Sequence, residues 1–372
     1  MERLTGSRAK YLLSVYIEWM LRRRSPWLRV MWMGIALWGL AFGTGVWFLV
    51  SLPVDGQPFV LSVDSAGGAP AVLVYGAPVL GTVLVVSGLL LQFRREKREH
   101  GLAISAHVIA VETRGLRDVG GRPLTDVLPP NLETRAEHLL VDFRQGIQDG
   151  EIQSPEVALE KLRSLPDDLA RRERGGDRRD LQVVYGGLSP VPLTFLAGVL
   201  LDDESQIRTF DWDRHSGQWR PLSDADDGKR FTVVGLQNIP NNTADVVLAV
   251  SVSYGVRTED LVAKMGDTPV VRLDLDGIST DCHWSEEKQV ELGRQFFDTV
   301  KGIGRLGVRQ IHLFLAAQNS VVFRFGRLYD KRNLPAVIVY QYEKALAPPY
   351  PWGVQMPVCG NESASVIRSS SH

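Results

Sequence analysis

Two long apolar runs stand out in the first quarter of the chain. Residues 27–51, WLRVMWMGIALWGLAFGTGVWFLVS, carry one charge near their start, and residues 71–93, AVLVYGAPVLGTVLVVSGLLLQF, carry none. Each is long enough to cross the hydrocarbon core as a helix, so the pattern predicts two transmembrane α-helices. The first run is too long and too rich in Trp for a signal-peptide core, and no small-residue cleavage site precedes the polar loop. It is expected to be retained. Beyond residue 105 the pattern changes to short apolar strands separated by amphipathic helices. In IHLFLAAQNSVVFRFGRLYDKRNLPAVIVYQYE, residues 311–315 read as a buried strand, residues 320–332 place Val322, Phe323, Phe325 and Leu328 at helical spacing, and residues 335–342 return to strand formers.

This strand-helix-strand unit occurs twice. The segment VVYGGLSPVPLTFLAGVLLD (183–202) runs parallel to LFLAAQNSVVFRFGRLYD (313–330), with Gly198 and Asp202 matching Gly326 and Asp330. The first strands, HVIAV (107–111) and VLAV (247–250), also match, and strands follow at 207–212 and 336–342. The pattern predicts an α/β domain of two tandem Rossmann-like halves joined around residues 220–245. Parallel sheets carry ligand-binding loops at the carboxyl ends of their strands, so two such halves would share one cleft suited to a ligand with internal symmetry.

Charge sets the orientation. Arg22, Arg23 and Arg24 precede the first run, Arg29 lies at its very start, and Arg94, Arg95, Lys97 and Arg98 follow the second, while the loop between has two Asp and no Lys or Arg. The positive-inside rule then puts both termini in the cytoplasm. The expected organisation is a juxtamembrane segment (1–26), transmembrane helices at 27–51 and 71–93 around a short external loop (52–70), and a basic linker (94–105). Two α/β halves (106–232 and 233–345) and a tail (346–372) follow. Residues 8–23 have an apolar helical face between basic ends and either lie on the inner leaflet or extend the first span. Gly39 with Gly43, and Ala77 with Gly81, have small-xxx-small spacing, with Gly34 a little earlier. This is either a packing surface or the ordinary frequency of small residues in membrane helices. The absence of ionisable groups from the middle of either run argues against a transporter or proton relay.

Composition excludes several classes. With 42 Lys and Arg against 43 Asp and Glu, the chain has no basic excess for binding a nucleic-acid polymer. Its two cysteines, Cys282 and Cys359, are far apart and fit neither a disulfide framework nor a zinc knuckle. Three adjacent residues, Asp281, Cys282 and His283, rarely converge on one metal. The charged stretch RRERGGDRRD reads as solvated, and no phosphate-binding loop, nucleophile elbow or kinase signature is present. No catalytic residue, metal site or cofactor is predicted. The candidate ligand-binding residues lie where the loops at strand ends are expected: Arg114, Tyr185, Gly186, Gly187, Ser189, Tyr254, Gln318, Asn319 and Ser320. Free N–H groups at the helix amino-termini suit an anionic ligand, and the family resemblance given below implies the phosphates that Arg and the bases that Tyr would meet. Alternatively, the glycines serve tight turns, the serines cap helices and Tyr254 covers a core edge.

The segments YGGLSPVPLTFLAGVLLDD, DWDRHSGQWRPL (211–222) and the carboxyl-terminal unit quoted above resemble the SAVED domain of bacterial anti-phage signalling systems, over roughly residues 105–345. SAVED domains resemble two fused CARF domains. The resemblance implies a cytoplasmic sensor of a cyclic di- or trinucleotide made by a cGAS/DncV-like nucleotidyltransferase. With two membrane spans, the chain resembles the two-transmembrane SAVED effector of CBASS defence. That likeness implies oligomerisation on ligand binding, disruption of the bacterial inner membrane and abortive infection. A passive anchor that recruits a partner protein, or a cleft that cleaves its own ligand, are the alternatives; no general base stands near the candidate loops.

Overall fold

The computed structural model describes residues 31–37, 46–49, 62–65, 76, 79–90, 107–115, 122–129, 132, 136–148, 151–172, 181–202, 207–240, 242–361 and 363–368. The chain divides into two compact units, Met1–Ile104 and Ser105–His372.

In the first unit residues 31–37 and 79–90 are helical. Gly34 is buried, as are Gly81 and Gly88, whereas Trp32, Met33, Ile35, Leu80, Val83 and Val86 are exposed. A Cβ on Gly34 would lie 2.7 Å from the Gly81 carbonyl oxygen and 2.8 Å from the Val85 side chain, so the two helices touch backbone to backbone at a glycine. Small residues inside and large apolar residues outside is the pattern of helices packed in lipid. Among the described residues no helix is long and apolar enough to cross a membrane.

The expected first span differs at its far end: β1 (Val46–Leu49) pairs antiparallel with β2 (Ser62–Ser65). Gly43-Thr44-Gly45 is a poor helix sequence, and Val46, Trp47 and Phe48 favour strand, so local propensity overrides the continuous apolar run. Gly39, Gly43, Ala77, the juxtamembrane segment and the basic linker lie outside the described residues.

The second unit contains both predicted halves. In the first, β3 (His107–Arg114), β4 (Ala136–Asp142), the short hairpin β5 (Ile147–Gln148) and β6 (Glu151–Ile152), β7 (Leu181–Leu188), β8 (Ile207–Asp213) and β9 (Gln218–Pro221) alternate with α1 (Pro155–Arg163), α2 (Leu165–Arg172) and α3 (Val191–Leu200). The sheet order is β4-β3-β7-β8-β9, parallel except for β9. The second half contains β10 (Phe231–Val234), β11 (Asp245–Ser251), β12 (Val270–Leu275), β13 (Gln310–Ala316), β14 (Ala336–Gln341), β15 (Trp352–Gln355) and β16 (Ser365–Arg368). Its helices are α4 (Thr258–Met265), α5 (Glu286–Arg305) and α6 (Asn319–Arg327). The order is β10-β12-β11-β13-β14-β15-β16, in which β12-β11-β13-β14 is the parallel core. Both halves therefore share one winding order: second, first, third, fourth strand.

The boundaries shift at two places. β10 belongs to the second sheet, pairing with β12. The expected tail is instead part of that sheet, because β15 and β16 add to β14 antiparallel and bury Trp352, Val354 and Met356. Glycine and proline spacing at 348–362 hides these two short strands.

The inner strands are buried on both faces, which explains their unbroken apolar runs. Ile109, Val111, Val183 and Tyr185 of the first sheet and Leu248, Val250, Leu313 and Val339 of the second enter one shared core with α3 and α6. These two helices cross at the matched glycines. A Cβ on Gly198 would lie 2.2 Å from the Phe323 carbonyl oxygen, and one on Gly326 would lie 2.1 Å from that of Phe195. The repeated Gly-x-x-x-Asp thus marks where equivalent helices meet about a pseudo-twofold axis, and only glycine permits that approach.

Candidate functional site

The carboxyl ends of both sheets lie around the amino-termini of α3 and α6. The two ends are tied together by hydrogen bonds that cross from one half to the other. Asp211, two residues beyond the Thr209 that pairs with Tyr185, accepts the Ser320 N–H at 2.9 Å with Oδ2. Gln341, two residues beyond the Val339 that pairs with Leu313, accepts the Val191 N–H at 3.1 Å with Oε1. These positions are equivalent in the two halves, so each fourth strand caps the other half's helix. The acceptor position slips by one residue because Pro192, the counterpart of Ser320, has no N–H.

The expectation that these helix ends offer open N–H groups to a phosphate is corrected at Ser320. Its N–H is taken by Asp211 and its hydroxyl accepts the Gln289 amide at 2.8 Å. A carboxylate at a helix amino-terminus satisfies both the orphan donor and the macrodipole.

Three further candidates prove to be strand residues. Tyr185, Gly186 and Gly187 lie within β7, not in the loop after it. Tyr185 is fully buried, stacks on Phe323 of the other half with centroids 3.7 Å apart, and has its hydroxyl 3.1 Å from Thr113 Oγ1. Burial pushes its phenol well above the ordinary range. Gly186 makes room on the opposite face for Trp219 and Leu124, 3.0 and 3.1 Å from a notional Cβ, and Gly187 clears the Tyr185 hydroxyl at 2.7 Å. The glycines serve packing within a strand.

Ser189 is buried and joins a chain of hydroxyls: 3.1 Å to Thr113 Oγ1 and 2.8 Å to Thr194 Oγ1, which in turn donates to Asn319 Oδ1 at 3.1 Å. This chain forms the floor between the halves. Gln318 precedes α6 and donates from Nε2 to the carbonyls of Ser279 and Thr280, 3.1 and 2.7 Å away. Arg114 ends β3, its guanidinium paired with buried Glu112. Burial alone would raise the Glu112 carboxyl, but hydrogen bonds from His138, the Leu124 N–H and Arg114 hold it below its ordinary value. The pair with Glu112 and a bond to the Arg122 carbonyl at 3.4 Å hold the Arg114 side chain in place at the strand end. Tyr254, at the tip of the loop after β11, is 58% exposed.

The predicted set is thus divided. Ser189, Gln318 and Asn319 lie at strand or helix ends around the seam, Arg114 ends β3 on the outer face of its sheet with Glu112, Tyr254 rises on its own loop, and Tyr185, Gly186, Gly187 and Ser320 are structural. Sequence reading missed Asp211, Gln341 and Thr194; the available signal was a polar residue inside an otherwise buried strand, as in TFDWD and VIVYQY. The adjacent Asp281, Cys282 and His283 diverge. Asp281 faces His215 at 3.4 Å, Cys282 Sγ faces the Val252 carbonyl at 3.5 Å, and His283 Nε2 lies 3.5 Å from Asp211. Beyond β14, Glu343 is 9% exposed; burial and the nearby Glu151 push its carboxyl up to about 7 against hydrogen bonds with Gln341 and Trp352.

Residues 165–356 match the family described as the SMODS-associated and fused to various effectors sensor domain, SAVED. The chain belongs to the SAVED family. Residues 8–159 match a SAVED-fused 2TM effector domain, so the effector match extends across β3 and β4 of the sensor sheet. The SAVED chain is similar to solved Acinetobacter baumannii Cap4 SAVED/CARF-domain containing receptors with the cyclic trinucleotides 3'3'3'-cAAA (12% identity, TM-score 0.46) and 2'3'3'-cAAA (11%, 0.45). It is also similar to the Moraxella osloensis Cap4 SAVED/CARF-domain containing receptor (10%, 0.43). The matches cover 77% of this chain and 58%, 58% and 56% of those chains, so it spans less than two thirds of their length. A search of curated proteins gave no match.

Proposed function

We propose that this SAVED protein is a membrane-anchored effector of CBASS anti-phage defence. Its sensor domain takes up a cyclic di- or trinucleotide made by a cGAS/DncV-like nucleotidyltransferase, and the two amino-terminal helices cross the bacterial inner membrane with both termini in the cytoplasm. Ligand binding brings chains side by side, and the clustered hairpins disrupt the membrane and end the infection with the host cell. The observation that carries this reading is the joining, in one chain, of a SAVED sensor match and a SAVED-fused 2TM effector match. The pseudo-twofold seam supports a ligand with internal symmetry. Asn319 and Gln318 supply amides at that seam. Clustering is required because one hairpin without ionisable groups in its spans cannot line an aqueous pore. Small-residue faces, including Gly39 and Gly43, are where such hairpins pack.

The test is thermal unfolding of the full-length protein in lipid nanodiscs against a panel of cyclic di- and trinucleotides. A ligand that binds the native state alone at about 100 times its Kd adds about 2.7 kcal/mol of apparent stability, a clear rise in Tm. No rise with any member of the panel contradicts the reading.

A further inference from the structure

Within the stretch DCHW, His283 carries a ring that is buried yet makes no hydrogen bond. It lies in the loop 276–285, which runs from β12 to α5 and reaches across to the first half. The loop is gripped at its carboxyl end. There the Trp284 carbonyl accepts the Asp224 N–H at 2.9 Å, Ser285 bridges to Ser223, and the Arg220 guanidinium stands 4.6 Å from the Trp284 ring centroid. From Asp276 to Asp281 the loop is exposed and held lightly. Gln318 reaches the Ser279 and Thr280 carbonyls, the Ser279 N–H reaches the Val252 carbonyl at 3.4 Å, and Asp281 faces the exposed His215 at 3.4 Å. Between these two stretches His283 is 3% exposed, its ring against that of Trp284 with centroids 4.2 Å apart. Asp211 Oδ2 lies 3.5 Å from Nε2 but is engaged by the Ser320 N–H, as Oδ1 is by that of Trp212 at 2.7 Å. The Thr280 carbonyl is likewise engaged by Gln318.

A neutral imidazole tolerates such a place because it has one donor and no charge, whereas an imidazolium brings a second donor and a charge cut off from water. Burial, the largest influence, opposes the charged ring, as does Arg220 on β9. Asp211 on β8, Asp281 and the Thr280 carbonyl favour it, and the balance holds the imidazole below its ordinary 6.5. The charges of α5 and α6 are turned elsewhere: Lys288 to Asp227 at 2.9 Å, and Glu286 to Arg324. We propose that His283 is an acid-released latch on the seam. Neutral, it closes the loop on the first half. Protonated, the ring leaves the interior and residues 277–283 lift away from Asp211 and Gln318, turning about Gly277, which has φ +70°, and about the grip at Trp284 and Ser285. The sign follows from linkage. A base held below its free value in the closed loop favours opening once protonated, so closure is at full strength above pH 6.5 and weakens as pH falls from there towards the folded value. His215 opposes this weakly, because its charging strengthens an exposed contact with Asp281. The latch needs no ligand and stands apart from the sensor reading.

The test is amide hydrogen exchange, read by mass spectrometry, on the full-length protein in nanodiscs, with labelling times scaled for the pH dependence of exchange itself. In the wild type, peptides covering 277–285 are expected to exchange up to about tenfold faster at about pH 5.5 than at about pH 8, while β11 and β13 stay protected. His283→Phe keeps a ring against Trp284 and cannot take a charge, so its loop is expected to stay protected at both values. His283→Gln, which also cannot charge, keeps the test decisive should the phenylalanine variant fail to fold. His215→Asn is expected to keep the wild-type response. Equal protection of the wild-type loop at both values overturns the latch. A response that survives in His283→Phe or His283→Gln, or disappears in His215→Asn, overturns it as well, since another group would then be the trigger. Acid exchange that rises equally in β11 and β13 is global unfolding and contradicts a local release.

Discussion

The two halves of the sensor solve one problem with different chemistry. Each sends a side chain from its fourth strand to the first turn of the other half's helix, but the first half sends a carboxylate, Asp211, and the second an amide, Gln341. The carboxylate meets a helix whose Ser320 N–H is available; the amide meets one where Pro192 has removed that donor. A duplicated fold therefore keeps the cross-cap while the local sequence decides its charge.

The largest expected effect breaks the comparison at its margin. The second half needs β15 and β16, for which the first half has no counterpart beyond the single strand β9. Expression of residues 105–372 is expected to give a folded, soluble unit, whereas 105–345 loses the strands that cover β14 and is expected to be insoluble. Circular dichroism and gel filtration of the two fragments decide this.

Next come the matched glycines. Gly198→Ala and Gly326→Ala each force a methyl to about van der Waals overlap with a backbone carbonyl that cannot step aside. Each is expected to cost the upper end of about 1–3 kcal/mol, or more, in denaturant unfolding of the 105–372 fragment. Equal tolerance of alanine at both sites would remove the pseudo-twofold crossing as a constraint.

Glu343 gives a pH test confined to the second half. Its folded pKa, about 7, lies above the ordinary 4.5, so the native state holds an extra proton between those values. Its contribution is most favourable below pH 4.5 and is lost as pH rises through about 7, for a total on the order of 3 kcal/mol. Glu343→Gln should flatten this part of the stability profile and raise stability above pH 7. The smallest effect concerns the caps themselves. Asp211→Ala, which leaves a buried N–H without its charged acceptor, should cost about 1.5–3 kcal/mol and Gln341→Ala about 1. A reversal of that order would show that cap charge is not what separates the halves.

Much of this architecture was legible along the chain, because strand-helix units repeat with fixed spacing and inner strands of a parallel sheet are apolar throughout. The Gly198 and Gly326 match was visible, although its meaning, a backbone crossing, needed the two helices side by side. The site was less legible. Tyr185-Gly186-Gly187 has the composition of a turn, yet all three continue β7, where Trp219 and Leu124, distant in sequence, pack over Gly186 and the Tyr185 hydroxyl and Thr113 over Gly187. Asp211 and Gln341 act on helices more than a hundred residues away, and no local pattern records that pairing. The first apolar run concealed β1 because length and hydrophobicity outweighed the Gly-Thr-Gly before Val46.

The central claim is that a ligand read at the seam acts on the membrane through the amino-terminal helices. Dye release from liposomes carrying the full-length protein, with and without a cyclic oligonucleotide that raises its Tm, tests this most directly. The account predicts release that requires the ligand, rises steeply with protein density in the bilayer, and falls in Gly39→Leu/Gly43→Leu without loss of ligand binding. Ligand binding with no release at any protein density would contradict it and leave the hairpin a passive anchor.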